Sequence, residues 1–330
     1  MNFERVYREG IKPYSKEWFK ERGTINVGCS QLGIIMFKNK NEERALERRN
    51  NLVRDFIIKR KGGIVPFDGH VPCGWGVTFE HVVVKIIEEQ LGSKVYCRNI
   101  YINNIPQIPL LRCSPDGVIR LCCTSDGNPW MVTMDPSAVV KITCALIEIK
   151  CPLNRWPNGD VPEEYIPQIQ GGMVATKKLN TEGLFIDALF RICAMEDHGN
   201  TPNYNLKFHG GKKCGNHNPI AWGVLEILDK RIVNHENDEK IDYGEKDKKT
   251  IEQLLTDIND RKFYSSVLKI TFQDGKCLDF SSNDKRCVGY LTFKLFKIYY
   301  RTLVPDPNFC EVAKESIEKF FEDIRKNENS

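Results

Sequence analysis

Ala145-Leu146-Ile147-Glu148-Ile149-Lys150-Cys151-Pro152 is the stretch from which the rest of the chain is read. It is an apolar run that ends in charge. Such a pattern predicts a strand buried at its start and emerging into a cleft. Side chains alternate along a strand, so Glu148 and Lys150 share one face while Ile149 points into the core. An isolated Glu-x-Lys is ordinarily an ion pair and nothing more. Here both charges sit at the edge of a strongly apolar strand, where burial is costly unless they are paired or bind a metal. Pro152 then ends the strand, because proline cannot continue a hydrogen-bonded ladder.

Ser114-Pro115-Asp116-Gly117 lies 32 residues before Glu148, between Ile108-Pro109-Leu110-Leu111 and Val118-Ile119-Arg120-Leu121. Pro-Asp-Gly is a turn sequence: proline presets φ and glycine tolerates positive φ. A turn that opens a strand puts Asp116 at a strand end. The interval to Glu148 is long enough for a hairpin, which makes the two strands neighbours. Two carboxylates and one ammonium would then converge. Phosphodiester hydrolysis uses such a set: carboxylates hold Mg²⁺ against the phosphate, and lysine steers or deprotonates the attacking water.

Two helices are expected beside these strands. After Gly76, apolar residues recur at helical spacing, with Phe79, Val83 and Ile86 on one side and Val84, Ile87 and Leu91 on the other. Glu80 falls on an inward face and needs a partner, which a metal would supply; a carboxylate favouring the helix dipole in the first turn is the plainer reading. Gly74 and Gly76 allow another backbone, protein or nucleic acid, to come close. Pro162 to Ala175 reads as a second helix whose regular part begins late because of Pro167. Tyr165, Gln168 and Gly172 share a side there. Gln168 is suited to a phosphate oxygen or the attacking water, and Tyr165 to orienting or stacking. On its own the segment reads as an ordinary amphipathic core helix.

Four motifs thus stand in one order: Gly76-x-x-x-Glu80, Ser114-Pro115-Asp116-Gly117, Glu148-Ile149-Lys150-Cys151-Pro152 and Tyr165-x-x-Gln168-x-Gln170. The set resembles the PD-(D/E)xK nuclease superfamily, and within it the branch of lambda exonuclease, YqaJ-type viral recombinases and alkaline nucleases. Upstream, Trp18-Phe19-Lys20-Glu21-Arg22 followed by Val27-Gly28-Cys29-Ser30 is similar to that branch's W…R…(T/A)S segment. The resemblance covers roughly residues 14 to 195. It implies an α/β restriction-endonuclease-like core with a central mixed sheet flanked by helices. It also implies roles. Asp116 and Glu148 would ligate a metal together with the Ile149 carbonyl, and Glu80 would reach it directly or through water. Lys150 would activate or position the water, Gln168 would support the site, and Tyr165 would lie beside it. Arg22, Ser30 and Ser114 would hold a terminal 5′-phosphate, a role suited to a guanidinium and two hydroxyls. Cys29 departs from the pattern, which usually has a hydroxyl or small residue there. The implied cofactor is Mg²⁺, with Mn²⁺ substituting. The implied activity is 5′-to-3′ exonuclease digestion of linear double-stranded DNA ends in viral recombination or genome processing, with a single-strand annealing protein as a candidate partner. An endonuclease or host-shutoff ribonuclease using the same site is the alternative among enzymes. A non-catalytic DNA-end-binding protein is the alternative from another class, and the intact Asp116, Glu148 and Lys150 argue against it.

Bulk properties agree with this reading but are less specific. The 330 residues give room for one large domain or two ordinary ones, and a net charge of +4 permits nucleic-acid binding. Basic clusters at Lys38 to Lys40, Arg44 to Arg49, Lys59 to Lys61, Lys177-Lys178 and Lys212-Lys213 are each, singly, ordinary solvated faces. No apolar run is long enough to span a membrane and no signal peptide is evident, so the expectation is an intracellular protein, in host cytoplasm or nucleus if viral, with its 13 cysteines reduced. Cys193, His198, His209, Cys214 and His217 form a loose group with one zinc-compatible spacing, and scattered loop residues are the better account of it.

The expected organisation is a helical part over 1–65, a nuclease core over 66–228, and a C-terminal extension over 229–330 packed on that core. The extension contains a charged, exposed helical insertion at 229–262 and an amphipathic terminal helix with Val312, Ile317, Phe320, Phe321 and Ile324 as its apolar face.

Overall fold

The structure, a computed structural model, describes residues 26–36, 42–98, 100–103, 105–132, 135–177, 181–192, 218–230, 251–280 and 286–328. In chain order its elements are β1 (Val27–Gly28), α1 (Cys29–Met36), α2 (Glu42–Arg60), α3 (His70–Gln90), β2 (Val95–Tyr96), β3 (Leu111–Arg112), β4 (Gly117–Thr124), β5 (Val139–Lys150), α4 (Ile166–Ala175), β6 (Thr181–Ile192), β7 (Ala221–Asp229), α5 (Ile251–Asn259), β8 (Phe263–Phe272), β9 (Cys277–Asp279), β10 (Cys287–Leu303) and α6 (Phe309–Glu328).

Eight strands form one mixed sheet in the order β2-β4-β5-β6-β10-β7-β8-β9. Only the β5–β6 pair is parallel, as a strand–helix–strand crossover through α4 requires. β4 and β5 are antiparallel, with Gly117 opposite Ile147, so the hairpin expected between the Asp116 and Glu148 motifs is present. β1 and β3 make a separate two-stranded parallel pair, Val27 opposite Leu111 and Gly28 opposite Arg112. The fold is therefore mixed α/β, a large sheet with helices on both sides.

Alternation along the strands sorts the core. Ala145, Ile147 and Ile149 of β5 and Leu184, Ile186, Ala188 and Phe190 of β6 face the larger core, which α3 and α5 close. Leu146 and Phe185 face the other way, against Ile169 and Met173 of α4. Outside α4 a second core gathers Leu32 of α1, Phe56 of α2 and Phe320 of α6. Phe56 meets Phe320 edge-on at 5.2 Å.

The apolar residues expected on α3 are buried, Phe79, Val83, Ile86 and Ile87 completely. The helix begins at His70, three residues before the Cys73–Ile87 stretch that reads as a helix from sequence. Gly74 explains why its first turns hold no large inward side chain there: a Cβ at that position would stand 1.9 Å from the Leu255 carbonyl oxygen of α5. The close backbone is thus protein, and Gly76 faces open space. Part of the stretch expected as an exposed insertion, 231–250, lies outside the described residues. α5, at its C-terminal end, buries Leu254, Leu255 and Ile258 rather than standing free. The sheet runs through the expected boundary at 228/229, since β10 hydrogen-bonds to both β6 and β7. On α6 the expected apolar face is buried except for Val312, which is 51% exposed, its place being taken by Phe309 and Ala313. None of the described cysteines is in a disulfide, and no described helix is long and apolar enough to cross a membrane.

Candidate active site

β4 and β5 deliver their polar ends to one place. Asp116, just before β4, accepts the Ile149 backbone N–H at 2.7 Å. Glu148 and Lys150 project from the α4 side of β5, where the Lys150 Nζ donates to Glu148 Oε1 at 2.6 Å. From the first turn of α4, Gln168 Nε2 donates to the same oxygen at 2.6 Å. The helix can present Gln168 there because a short 3-10 turn at Glu163–Tyr165 and Pro167 set its start. Tyr165 lies under the ammonium, with Nζ 4.8 Å from the ring centroid, and stacks on Phe185. Glu80 approaches from α3 on the other side of the sheet. Its partner is one the sequence did not suggest, Arg98, at 3.2 Å. The second glutamine of the motif has a structural role. Gln170 donates to the Val304 carbonyl and accepts from the Asp306 N–H, tying the end of β10 to α4.

The electrostatics follow from crowding three carboxylates. Burial and the charges of Glu148 and Glu80 hold the Asp116 carboxyl well above the ordinary carboxylate range. Burial also raises Glu80, against the pull of Arg98. For Lys150, burial alone would lower the value, but Glu148 and Asp116 outweigh it and keep the ammonium charged. Among the described residues no three His, Cys, Asp or Glu side chains are gathered as a ready metal cage. A set of oxygens (Asp116, Glu148 and the Ile149 carbonyl) still fits one class of ion. Mg²⁺ takes one or two carboxylates and fills its remaining positions with water and substrate phosphate. Mutual repulsion of the carboxylates is what such an ion would relieve.

A pocket opens directly beside Glu148 and Gln168. Ser30, at the N-terminus of α1, and Ser114 both line it. The β1–β3 pair brings them together, since Gly28 and Arg112 are register partners two residues before each serine. Arg22, the third residue expected here, lies outside the described residues, as do Cys193, His198, His209, Cys214 and His217. Two residues that motif reading missed also line the pocket. Arg112 bonds the Pro109 and Leu111 carbonyls. Asn26 is 4% exposed, and its Nδ2 has no hydrogen-bond partner among the described residues. Neither sits in a recognisable motif; only the strand pairing reveals them. The Cys29 thiol bonds the Cys113 thiol, and that contact together with burial holds it well above the ordinary thiol value. The departure at Cys29 is thus an inert, protonated group in the pocket wall.

Comparison with known proteins bears on the same region. Residues 17–178 match the YqaJ-like viral recombinase domain. "Protein D345L" of African swine fever virus, isolate Tick/Malawi/Lil 20-1/1983, is 25% identical over 329 residues, 98% of this chain and 88% of that protein. The counterpart in strain Badajoz 1971 Vero-adapted is also 25% identical over the same shares. Among solved structures, the alkaline exonuclease LHK-Exo from Laribacter hongkongensis aligns with a TM-score of 0.41 at 15% identity, covering 96% of this chain and 95% of that one. Its complex with dAMP aligns with a TM-score of 0.42 at the same identity and coverage.

Proposed function

We propose that this chain, which carries a YqaJ-like viral recombinase domain over residues 17–178, is a divalent-metal-dependent deoxyribonuclease that digests linear duplex DNA from a 5′ end. The observation that supports it most is the convergence of Asp116, Glu148, Lys150 and Gln168 beside a pocket lined by Ser30 and Ser114. Asp116, Glu148 and the Ile149 carbonyl would hold the ion, Mg²⁺ or Mn²⁺, with Glu80 joining them directly or through water. Bound there, such an ion would supply Lewis-acid polarisation of the scissile phosphate and a more acidic attacking water.

The chain's own residues do the rest. Gln168 and Lys150 fix the Glu148 carboxylate from two sides, so its free oxygen has one orientation. Lys150, held protonated, donates to the attacking water or to a phosphate oxygen and offsets charge that develops on the phosphate. Tyr165 and Phe185 form the apolar floor beneath it. Ser30, Ser114 and Arg22 receive the terminal phosphate one step from the reacting bond, which makes the cut end-dependent. The enzyme would serve viral recombination or genome processing inside the cell, with a single-strand annealing protein as partner.

The test is digestion of two labelled substrates in Mg²⁺: a linear duplex with a 5′-phosphate and a covalently closed circle. Loss of the linear DNA alone, reduced by about 10³-fold in Lys150→Ala, is the expected result. Cutting of the circle would move the assignment to an endonuclease. No metal-dependent cleavage of either, with RNA cleaved instead, would move it to a ribonuclease.

A further inference from the structure

We infer that the active-site face of the sheet continues into a second binding surface, a track for the phosphate backbone of the DNA strand beyond the cut, formed by Lys297 and Arg301 beside Trp156. This rests on the nuclease reading above and assigns the path of its substrate.

Register places these residues. Lys150 of β5 is opposite Asp187 of β6, and Asp187 is opposite Tyr299 of β10. Arg301 is opposite Phe185, and Lys297 is opposite Leu189. The intervening Ile186, Ala188, Phe190, Ile298 and Tyr300 belong to the core on the α3 side. Alternation therefore puts Lys297, Tyr299 and Arg301 on the face that carries Glu148 and Lys150. A bulge between Leu295 and Lys297 resets the β10 alternation to make this so.

The segment that leaves β5 after Pro152 folds back over the same face. Arg155 makes a bidentate pair with Asp187, at 2.6 and 2.8 Å. Trp156 follows, 42% exposed, with the Lys297 ammonium 5.5 Å from its ring and the buried Arg191 guanidinium 5.9 Å away as its support. Gly159, at φ +94°, brings the backbone against Tyr299 and Arg301: a Cβ there would stand 3.3 Å from the Tyr299 ring and from an Arg301 guanidinium nitrogen.

Charge balance separates this patch from the other basic clusters. Arg48, Arg49 and Arg60 on α2 are paired with Glu164, Asp323 and Glu328, and so tie helices together. Arg155 is matched by Asp187. Lys297 and Arg301 have no carboxylate partner among the described residues; their contacts are aromatic rings and a main-chain carbonyl. Cations gathered without counter-charge repel one another, and a polyanion laid across them removes that repulsion. From Lys297 to Arg301, four residues along β10, the strand advances about 13 Å. That is several times the ~3.4 Å axial rise per nucleotide of a DNA duplex. The two cations therefore flank the level of Lys150 at a separation that spans successive phosphates rather than a single anion.

The experiment is fluorescence anisotropy with end-labelled duplex and single-stranded DNA in EDTA, where no turnover occurs, over a series of salt concentrations. Lys297→Gln/Arg301→Gln removes two phosphate contacts. It should raise Kd about tenfold or more and flatten the log Kd against log salt slope by about two. Lys297→Gln alone should flatten it by about one, and it keeps the test valid if the double variant has a lowered melting temperature. Lys59→Gln on α2 should change neither quantity. With Mg²⁺, both track variants should show a raised KM and an unchanged kcat at saturating DNA. A wild-type protein that digests DNA ends while the track variants keep its Kd and slope would overturn the track and leave the nuclease reading standing. A wild-type protein that neither binds nor digests DNA would bring down the nuclease reading, and the track with it.

Discussion

Burial and the charges of Glu148 and Glu80 hold the Asp116 carboxyl above its ordinary range, so the folded chain binds a proton there more tightly than the unfolded chain does. Stability contributed at this site therefore falls as pH rises through that window. Asp116→Asn should melt higher than wild type at pH 8 without Mg²⁺, by about 2–4 °C for each kcal/mol of repulsion removed. It should also lose the thermal stabilisation that Mg²⁺ gives wild type, together with activity; a lower melting point in EDTA would refute that account. His81 has the opposite sign. Burial, reinforced by Arg98, pushes it down to about 4 from 6.5, so the unfolded chain binds more protons in that interval and stability is lost as pH falls through it. His81→Leu should flatten acid unfolding between those values, measured by denaturant titration at a series of pH values. At the pocket, Asn26→Asp should cut the preference for a 5′-phosphate over a 5′-hydroxyl end by about tenfold, a loss of one charge-assisted hydrogen bond plus a new repulsion. Equal preference in mutant and wild type would remove Asn26 from phosphate binding. Glu148 and Lys150 were legible because strand alternation alone puts them on one face. Asn26 and Arg98 were not, because each acquires its role from a pairing distant in sequence.

Elements were legible where periodicity is strong. The apolar strand at Glu148, the Asp116 hairpin and the late start of α4 all follow from spacing and proline. The start of α3 was not legible, because its first turns hold Pro72, Gly74 and Gly76, which argue against helix on propensity. Tertiary contact overrides propensity there: α5 packs so closely at Gly74 that only glycine fits. Gly74→Val should therefore destabilise the chain, by about 1–3 kcal/mol or more, although valine is the more helical residue. Urea unfolding would check the sign, since a neutral or stabilising change would mean that α3 and α5 can move apart. Val312 is the converse. It fits the helical stripe of α6, yet the helix is rotated so that Phe309 and Ala313 fill the seam.

Across the whole molecule, two cores hold two halves of the proposed site. The larger core positions β4 and β5, and with them Asp116, Glu148 and Lys150. The second core, built on α1, α2 and α6, positions Ser30. Phe320, buried between Phe56 and Phe321, anchors the second. Phe320→Ala should cost about 3–5 kcal/mol. It should also erode 5′-phosphate preference at temperatures where general cleavage persists, which side-by-side assays of phosphorylated and unphosphorylated ends would read. Strand order was the part least accessible from sequence, because pairing between distant strands leaves no local pattern. It also has a consequence in time. The proposed site residues are all in place in the chain once residue 168 has been synthesised, yet β6 meets no partner on its far side until β10, ending at Leu303, has left the ribosome. Until then a growing chain presents the bare edge of β6, a twelve-residue strand, to its neighbours on the polysome. The order in which the strands are born thus keeps a nascent chain from completing its sheet until late, and a message truncated before β10 should yield aggregate rather than a smaller folded protein.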